Sequence, residues 1–401
     1  MKINTNPQKI QEILSRGVEN IYPSREALEK ILLSGKKLRI YNGIDPTGKL
    51  HLGHAVVLRK LRQFQDLGHE IIVLIGDFTA RIGDPTDKLS ARKQLTKKQV
   101  EVNARGYEKL IGKILDLNKK PIVRFLHNEK WTNKLKPEDM LELASYFTVS
   151  RLLERDMFQE RIKQGKEIYV NEFLYPIFQA YDSVTMDVDM EIGGNDQTFN
   201  MLAGRTLIKR IKSKEKFVLT TKLLVDPTGK KMGKTEENAI MLDDKPTETF
   251  GKIMSWPDEL MEIGFEVLTD VSIKEIENIR RQLKEKIVNP RDIKAKLARE
   301  IVSLCHGKNM AQKAEQEFNK VFKEKKNPSV IPKIHIAGKS MPILELLVKT
   351  KLTPSKSEAK RLVEQKGVKI DGEIQNDWRK NIPIKIGIII QVGKRKFAEI
   401  I

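Results

Sequence analysis

The sequence predicts an α/β protein, with a parallel sheet and crossover helices first, then a helical stretch, then a small mixed α+β unit. Three observations carry that reading. Residues 37–41 read as a short strand, 55–64 as an amphipathic helix and 69–76 as a continuous apolar strand, which together make one βαβ unit. From residue 247 the composition changes, and helical patterns dominate as far as 325. Residues 340–401 combine two short helical patterns with a hairpin signal and two closing strands.

Size and charge bound the rest. A chain of 401 residues suggests two or three domains. Lys plus Arg number 74 against 54 acids, a formal charge of +20 spread along the chain. That suits either a surface that meets a long polyanion or a set of solvated basic faces. The single cysteine, Cys305, excludes an internal disulfide and fits a reducing cytosol. The N-terminus has no apolar core segment, and Glu12 and Glu19 argue against a transit peptide. The longest apolar runs, such as 71–75, are of strand length, so no membrane span is expected.

Residues 8–34 carry Ile10, Ile13, Leu14 and then Leu28, Ile31, Leu32 at helical spacing, with Tyr22-Pro23-Ser24 as a break and cap. The strand at 37–41 runs into Asp45-Pro46-Thr47-Gly48, which is turn chemistry, and then into His51-Leu52-Gly53-His54 at a helix start. A helix N-terminus offers unpaired N–H groups and partial positive charge, which favour phosphate. His51 and His54, three residues apart, point to one side and can donate to phosphate oxygens without an obligatory full charge. Gly53 between them allows a flat ring or a phosphate close to the backbone. Two surface histidines are the plain alternative, and a metal pair lacks a third ligand nearby.

The strand at 69–76 is of the kind covered on both faces, and it runs into a loop, 77–86, at its carboxyl end. Ligands of open α/β sheets bind outside the carboxyl ends of strands, so both loops are placed to share one site. Further on, the patterns predict a helix over 97–116, a strand over 121–126, and helices over 137–147 and 150–164 that look inserted between two halves of the sheet. In the helix expected over 171–186, Tyr175, Gln179 and Asp182 fall within roughly 60° of one another at 3.6 residues per turn. A polar stripe on an otherwise apolar helix is a buried network or a binding surface. Asp182 needs a donor if buried, and a ligand hydroxyl would supply one. Residues 187–192 alternate as a strand and end in Gly193-Gly194-Asn195-Asp196-Gln197, either a plain turn or a loop that brings backbone close to a ligand.

Asp226-Pro227-Thr228-Gly229 is a turn, followed by Lys230-Lys231-Met232-Gly233-Lys234-Thr235. Lysines on long stems around a glycine either close over a triphosphate or stand in water. In the helical stretch, Asn289-Pro290-Arg291-Asp292 is a helix start whose helix carries Lys294, Lys296 and Arg299 on a basic flank, and 325–329 is a linker. The 340–401 unit carries 13 basic and 7 acidic residues. Its helices are expected at 341–348 and 355–365, Asp371-Gly372 marks a hairpin, and 386–392 and 395–400 close the unit as strands. Lys356, Lys360 and Arg361 read as one basic helix face, suited to an RNA backbone or to water.

His51-Leu52-Gly53-His54 and Lys231-Met232-Gly233-Lys234-Thr235 resemble the two signature motifs of class I aminoacyl-tRNA synthetases, in the right order. With residues 41–54, Ile82-Gly83-Asp84-Pro85, the Tyr175/Gln179/Asp182 helix and the Gly193–Gln197 loop, the chain resembles the bacterial-type tyrosyl-tRNA synthetases over essentially its whole length. The resemblance implies a Rossmann-like catalytic domain over 1–246, with a helical dimerisation insertion at about 117–165. It also implies a helical anticodon-binding domain over 247–326, an S4-like RNA-binding domain over 340–401, and a cytoplasmic homodimer. The implied reaction joins tyrosine to ATP as tyrosyl-adenylate, with release of pyrophosphate, and then passes tyrosine to the 3′ end of tRNA(Tyr). Mg²⁺ would come with ATP, without a dedicated protein metal site.

Residue by residue, the resemblance casts Thr47, His51, His54, Lys88, Arg92, Lys231, Lys234 and Thr235 as catalytic, acting on the phosphates. Tyr41 and Asp182 would hold the phenol hydroxyl of tyrosine, Tyr175, Gln179 and Asp84 its ammonium, and Gln197 would lie near the carboxylate, with Thr79 also in the tyrosine site. Gly43, Asp45, Gly53, Gly193 and Asp196, with Lys231, Met232 and Lys234, would bind ATP, Asp196 taking the ribose. Lys356, Lys360 and Arg361 would meet RNA. The chain departs from the commonest pattern in two places. Gly233 and Thr235 replace two serines of the second motif, and Asp87 sits beside Lys88 where many relatives have glycine. Tryptophanyl-tRNA synthetases share the fold and both motifs, and small-molecule nucleotidyltransferases can share His-x-Gly-His. A non-catalytic RNA-binding protein on the same scaffold is the third alternative. Tyr41 with Asp182, and the glycine loop, favour tyrosine.

Overall fold

The computed structural model describes residues 3–84, 94–225, 239–322, 331–393 and 396–401. Among them, β1 (Val18–Tyr22), β2 (Arg39–Ile44), β3 (Glu70–Ile75), β4 (Arg124–His127), β5 (Met190–Gly194) and β6 (Phe217–Thr221) form one sheet in the order β1-β6-β5-β2-β3-β4. Neighbours run parallel except β1, which pairs antiparallel with β6 at the edge. The chain winds outward from β2 through β3 to β4, returns to β5 on the other side of β2, and winds outward again to β6. The order therefore reverses between β2 and β5, and a crevice opens at the carboxyl ends there.

The βαβ unit forms as the spacing predicts. The Leu52–Leu67 helix buries Leu52, Ala55, Leu58, Leu61 and Phe64 against the sheet. It ends at Gly68, whose φ of 99° is left-handed backbone that a side chain disfavours, and the chain turns there into β3. β3 is buried at every residue but its first, the signature of a parallel strand covered on both faces.

Elsewhere the elements differ in extent. The Pro7–Ser15 and Arg25–Leu33 helices appear on either side of Tyr22-Pro23-Ser24, but β1 lies between them where the sequence pattern predicts only a break. The pattern does not predict β6 either. β1 has the polar Glu19 and Asn20 at its centre and so shows no alternation, and its strand partner among the described residues, β6, lies some two hundred residues along the chain; β6 is a short apolar and β-branched run, buried throughout between β1 and β5. The helix over 97–116 is broken into Lys97–Ala104 and Tyr107–Ile111 by Gly106 at φ 82°.

Between β4 and β5 the Pro137–Ser145, Val149–Leu153 and Asp156–Lys163 helices are inserted, followed by the long Val170–Thr185 helix. Leu143 of the insertion packs with Ile177, Ala180 and Val184 of that helix and with Ala203 and Leu207 of the Thr198–Lys212 helix. After residue 245 come the helices Pro246–Met254, Leu260–Leu268, Ile273–Lys284 and Pro290–His306. Asn289 caps the last of these by accepting the Arg291 N–H, as expected. Arg16 ties this stretch to the N-terminal region by donating to the carbonyls of Phe265 and Thr269.

The chain divides into two compact units, Met1–Ala311 and Gln312–Ile401. In the second, the strands Glu373–Gln375, Val368–Ile370, Ile389–Val392, Lys396–Ile400 and Lys333–Ile334 lie side by side in that order. The Ile343–Lys349 and Lys356–Glu364 helices pack Ile343, Leu346, Leu347, Ala359 and Val363 into its core. Asp371 at φ 49° and Gly372 at φ 86° make the hairpin turn that Asp-Gly predicts. Among the described residues no helix is long and apolar enough to cross a membrane.

Candidate active site

The carboxyl ends of β2, β3 and β5 open onto a cavity of about 570 Å³. The described residues expected to hold tyrosine or nucleotide all line it: Tyr41, Gly43, Asp45, Thr47, His51, Gly53, His54, Thr79, Asp84, Tyr175, Gln179, Asp182, Gly193, Asp196 and Gln197. They come from four separate stretches of chain. Lys88, Arg92, Lys231, Met232, Lys234 and Thr235 lie outside the described residues.

At one end the helix start is built from its own histidines. His51 is the N-cap residue of the Leu52–Leu67 helix, and its Nδ1 accepts the Gly53 N–H at 3.1 Å. His54 reaches back, and its Nδ1 accepts the His51 N–H at 3.1 Å. The ring centroids are 4.1 Å apart. A neutral imidazole that accepts at Nδ1 carries its proton on Nε2, so Nε2 is the donor position of each ring. Each ring thus satisfies a backbone N–H of the helix start through one nitrogen and carries a donor on the other.

At the other end Asp182 is 2% exposed. Its Oδ1 accepts the indole N–H of Trp131 at 2.7 Å and its Oδ2 the amide of Asn128 at 3.1 Å. Burial pushes its carboxyl up to about 8, against the pull of the Trp131 and Asn128 hydrogen bonds. Asn128 also donates to Thr79 Oγ1, which donates to Asp45 Oδ1 at 2.7 Å. Tyr175 donates to the second Asp45 oxygen at 2.9 Å. Asp45 thus braces the Thr79 and Tyr175 side chains. A Cβ at Gly76 would fall 2.0 Å from Asp45 Oδ1, so glycine is required for this approach.

A second network lies behind Tyr41 and Gln179. The buried Tyr41 hydroxyl meets Ser183 Oγ at 2.9 Å, and burial, followed by the Glu191 carboxylate, holds the phenol well above its usual pKa. Gln179 Nε2 donates to Glu191 Oε1 at 3.0 Å, and the wholly buried Lys216 pairs with the other Glu191 oxygen. Gln197 donates to Asp84 Oδ2 at 2.8 Å, with Arg155 at 3.6 Å from the other oxygen. Sequence reasoning misses Asn128, Trp131, Ser183, Glu191, Lys216 and Arg155. Ser183, next to Asp182 on the helix, is within reach of it. Glu191 lies on the strand that leads into the Gly193–Gln197 loop, and the others are brought in by elements with no pattern pointing at the site.

In the C-terminal unit, Lys356 and Lys360 lie four residues apart on one side of the Lys356–Glu364 helix. Arg361 is turned roughly 140° from Lys356, so the three do not share one face. Arg361 pairs with Glu358, and the Lys360 ammonium stands 4.4 Å from the centroid of the Trp378 ring.

Residues 33–323 match the family described as tRNA synthetases class I (W and Y), and residues 323–400 match a tyrosine–tRNA ligase SYY-like C-terminal domain. The tyrosine–tRNA ligase of Thermotoga maritima is 45% identical over 98% of each chain. That of Moorella thermoacetica is 43% identical over 97% of this chain and 94% of its own. A C-terminally truncated mitochondrial tyrosyl-tRNA synthetase of Aspergillus nidulans superposes with a TM-score of 0.66 at 25% identity, covering 78% of this chain and 94% of that one. The tyrosyl-tRNA synthetase of Archaeoglobus fulgidus, solved with L-tyrosine, shares the fold with a TM-score of 0.60 at 22% identity, covering 77% of this chain and all of that one.

Proposed function

The chain belongs to the class I tyrosine–tRNA ligases, and from that premise we propose that the cavity between β2 and β5 is where tyrosine is activated. The ligase joins tyrosine to tRNA(Tyr) at the expense of ATP. In our reading the phenol of tyrosine enters toward Asp182 and Tyr41, its ammonium lies among Tyr175, Gln179 and Asp84, and its carboxylate lies near Gln197. ATP lies along Gly43, Gly53, Gly193 and Asp196, with its phosphates at the helix start.

A carboxylate oxygen of tyrosine attacks the α-phosphorus, the bond to the bridging oxygen breaks, and pyrophosphate leaves with the electron pair. His51 and His54 donate from Nε2 to phosphate oxygens as that centre becomes crowded, with Thr47 beside them. Donors fixed in advance where charge grows stabilise the transition state. Lys88, Arg92, Lys231, Lys234 and Thr235 are assigned to the leaving pyrophosphate on sequence grounds. A ribose hydroxyl at the tRNA 3′ end then attacks the acyl carbon and AMP leaves.

Mg²⁺ would reach the site on the phosphates, whose oxygens suit it. The described residues form no group of three or more His, Cys, Asp or Glu side chains able to hold a metal ion. We assign residues 1–246, 247–326 and 340–401 to catalytic, anticodon-binding and S4-like RNA-binding domains, with Lys356, Lys360 and Arg361 as RNA contacts. A homodimer would form through the inserted helices, where Leu141, Val149 and Ile162 are exposed. The cytoplasm is the assigned compartment.

One observation carries the tyrosine pocket: a buried carboxylate, Asp182, on the same helix stripe as Tyr175 and Gln179 at the cavity wall. Asp182→Ala should lower kcat/KM for tyrosine in pyrophosphate exchange by about a hundredfold, the scale of a buried polar group left without its partner. ATP binding should stay intact. Unchanged tyrosine kinetics would sink the assignment.

A further inference from the structure

Behind the amino-acid end of the cavity lies an ion pair that the reaction itself does not call for. Lys216 immediately precedes β6, and its side chain is wholly buried. The ammonium donates to Ser183 Oγ at 2.8 Å, to the Met201 carbonyl at 3.3 Å and to Glu191. Those three partners match the three protons of an ammonium. The remaining Glu191 oxygen accepts from Gln179, and Ser183 meets Tyr41. The pair is therefore connected to two side chains that line the cavity.

The sequence makes room for it. A Cβ at Gly204, inside the Thr198–Lys212 helix, would lie 2.5 Å from Lys216 Nζ and 2.7 Å from Ser183 Oγ. Glycine in a helix interior is less favourable than alanine, and here the helix accepts that at the position where the pair sits.

A glutamine amide can present either end. A carboxylate only accepts, so Glu191 takes the NH₂ end of Gln179 and leaves the carbonyl oxygen as the end open to another partner. An ammonium requires that oxygen. Lys216 holds the other Glu191 oxygen, so the carboxylate is fixed as an acceptor facing Gln179.

We propose that the Lys216–Glu191 pair is a positioning device that sets the Gln179 amide with its oxygen toward the ammonium of tyrosine. The proposal rests on the assignment of Gln179 as an ammonium ligand. The test is steady-state tyrosine-dependent pyrophosphate exchange on the full chain, comparing Glu191→Gln, Lys216→Met with Glu191→Gln, Gln179→Ala, and Gln179→Ala with Glu191→Gln. Unfolding midpoints are read alongside. Glu191→Gln keeps the shape but no longer dictates which amide end it meets.

The expected result is a rise in KM for tyrosine of about tenfold, with kcat and KM for ATP held within about twofold. Glu191→Gln should add nothing in the Gln179→Ala background. If Gln179→Ala raises KM and Glu191→Gln does not, the proposal is overturned while the ammonium assignment stands. It is likewise overturned if Glu191→Gln moves kcat and both KM values together with the midpoint, or acts equally in the Gln179→Ala background. If Gln179→Ala leaves KM for tyrosine unchanged, the assignment itself fails and takes the proposal with it. Should the Lys216→Met double variant not fold, Glu191→Gln alone decides.

Discussion

His51 and His54 are held from behind: each Nδ1 accepts a backbone N–H, which leaves Nε2 as the donor position of each ring. Asparagine places an oxygen where imidazole has Nδ1 and nothing where it has Nε2. His54→Asn should therefore keep the helix start and lose the donor. Single-turnover adenylate formation should slow by about a hundredfold, with an unchanged unfolding midpoint. His54→Ala loses the cap as well and should lower Tm by about 2 °C further. A His54→Asn enzyme with full activity would remove the imidazole from the phosphate chemistry. At this scale much is legible in the sequence. His51 and His54 at one helix start, and Tyr175, Gln179 and Asp182 on another helix, announce themselves through local spacing. Their partners do not, because Asn128 and Trp131 are distant in sequence from what they bond, and nothing local marks a donor whose acceptor lies some fifty residues away.

Strands and helices carry a different liability, seen where β2 and β3 begin side by side. His69, just before β3, is wholly buried and accepts the Leu38 N–H at 3.2 Å through Nδ1. Burial, with Lys37 adding to it, holds the imidazole down to about 4, from an unfolded value near 6.5. Between those values the unfolded chain binds a proton that the folded one does not, so stability falls as pH falls through that window and is level again below it. The loss is on the order of 3 kcal/mol. Urea unfolding from pH 7 to pH 4 should show this slope in the wild type and not in His69→Asn, whose amide oxygen can still accept the backbone N–H. Equal slopes would place the titration elsewhere. The elements legible in sequence are those with internal periodicity: the βαβ unit, the Val170–Thr185 helix and the Asp371-Gly372 hairpin. β1 is not, since its centre is polar and its strand partner among the described residues lies across the fold, and β6 is a five-residue run held between β1 and β5.

The whole molecule combines a +20 charge with two compact units, Met1–Ala311 and Gln312–Ile401, and the composition change at residue 247 falls inside the first of them. Residues 323–400 match the C-terminal domain of the family, while the described residues that line the cavity fall within 41–224. Ending the chain after Phe322 should leave tyrosine-dependent pyrophosphate exchange within about twofold and reduce charging of tRNA(Tyr) by at least about tenfold, the share expected of several lost phosphate contacts. Equal survival of both activities would remove the C-terminal unit from RNA binding. The central claim is that one cavity, closed by a buried Asp182 beside Tyr41, selects tyrosine for activation by ATP. Amino-acid-dependent exchange of pyrophosphate into ATP, run with each of the twenty amino acids on the intact chain, tests it most directly. Exchange with tyrosine alone is the predicted result. Exchange supported by tryptophan, or by no amino acid in folded protein, would contradict it.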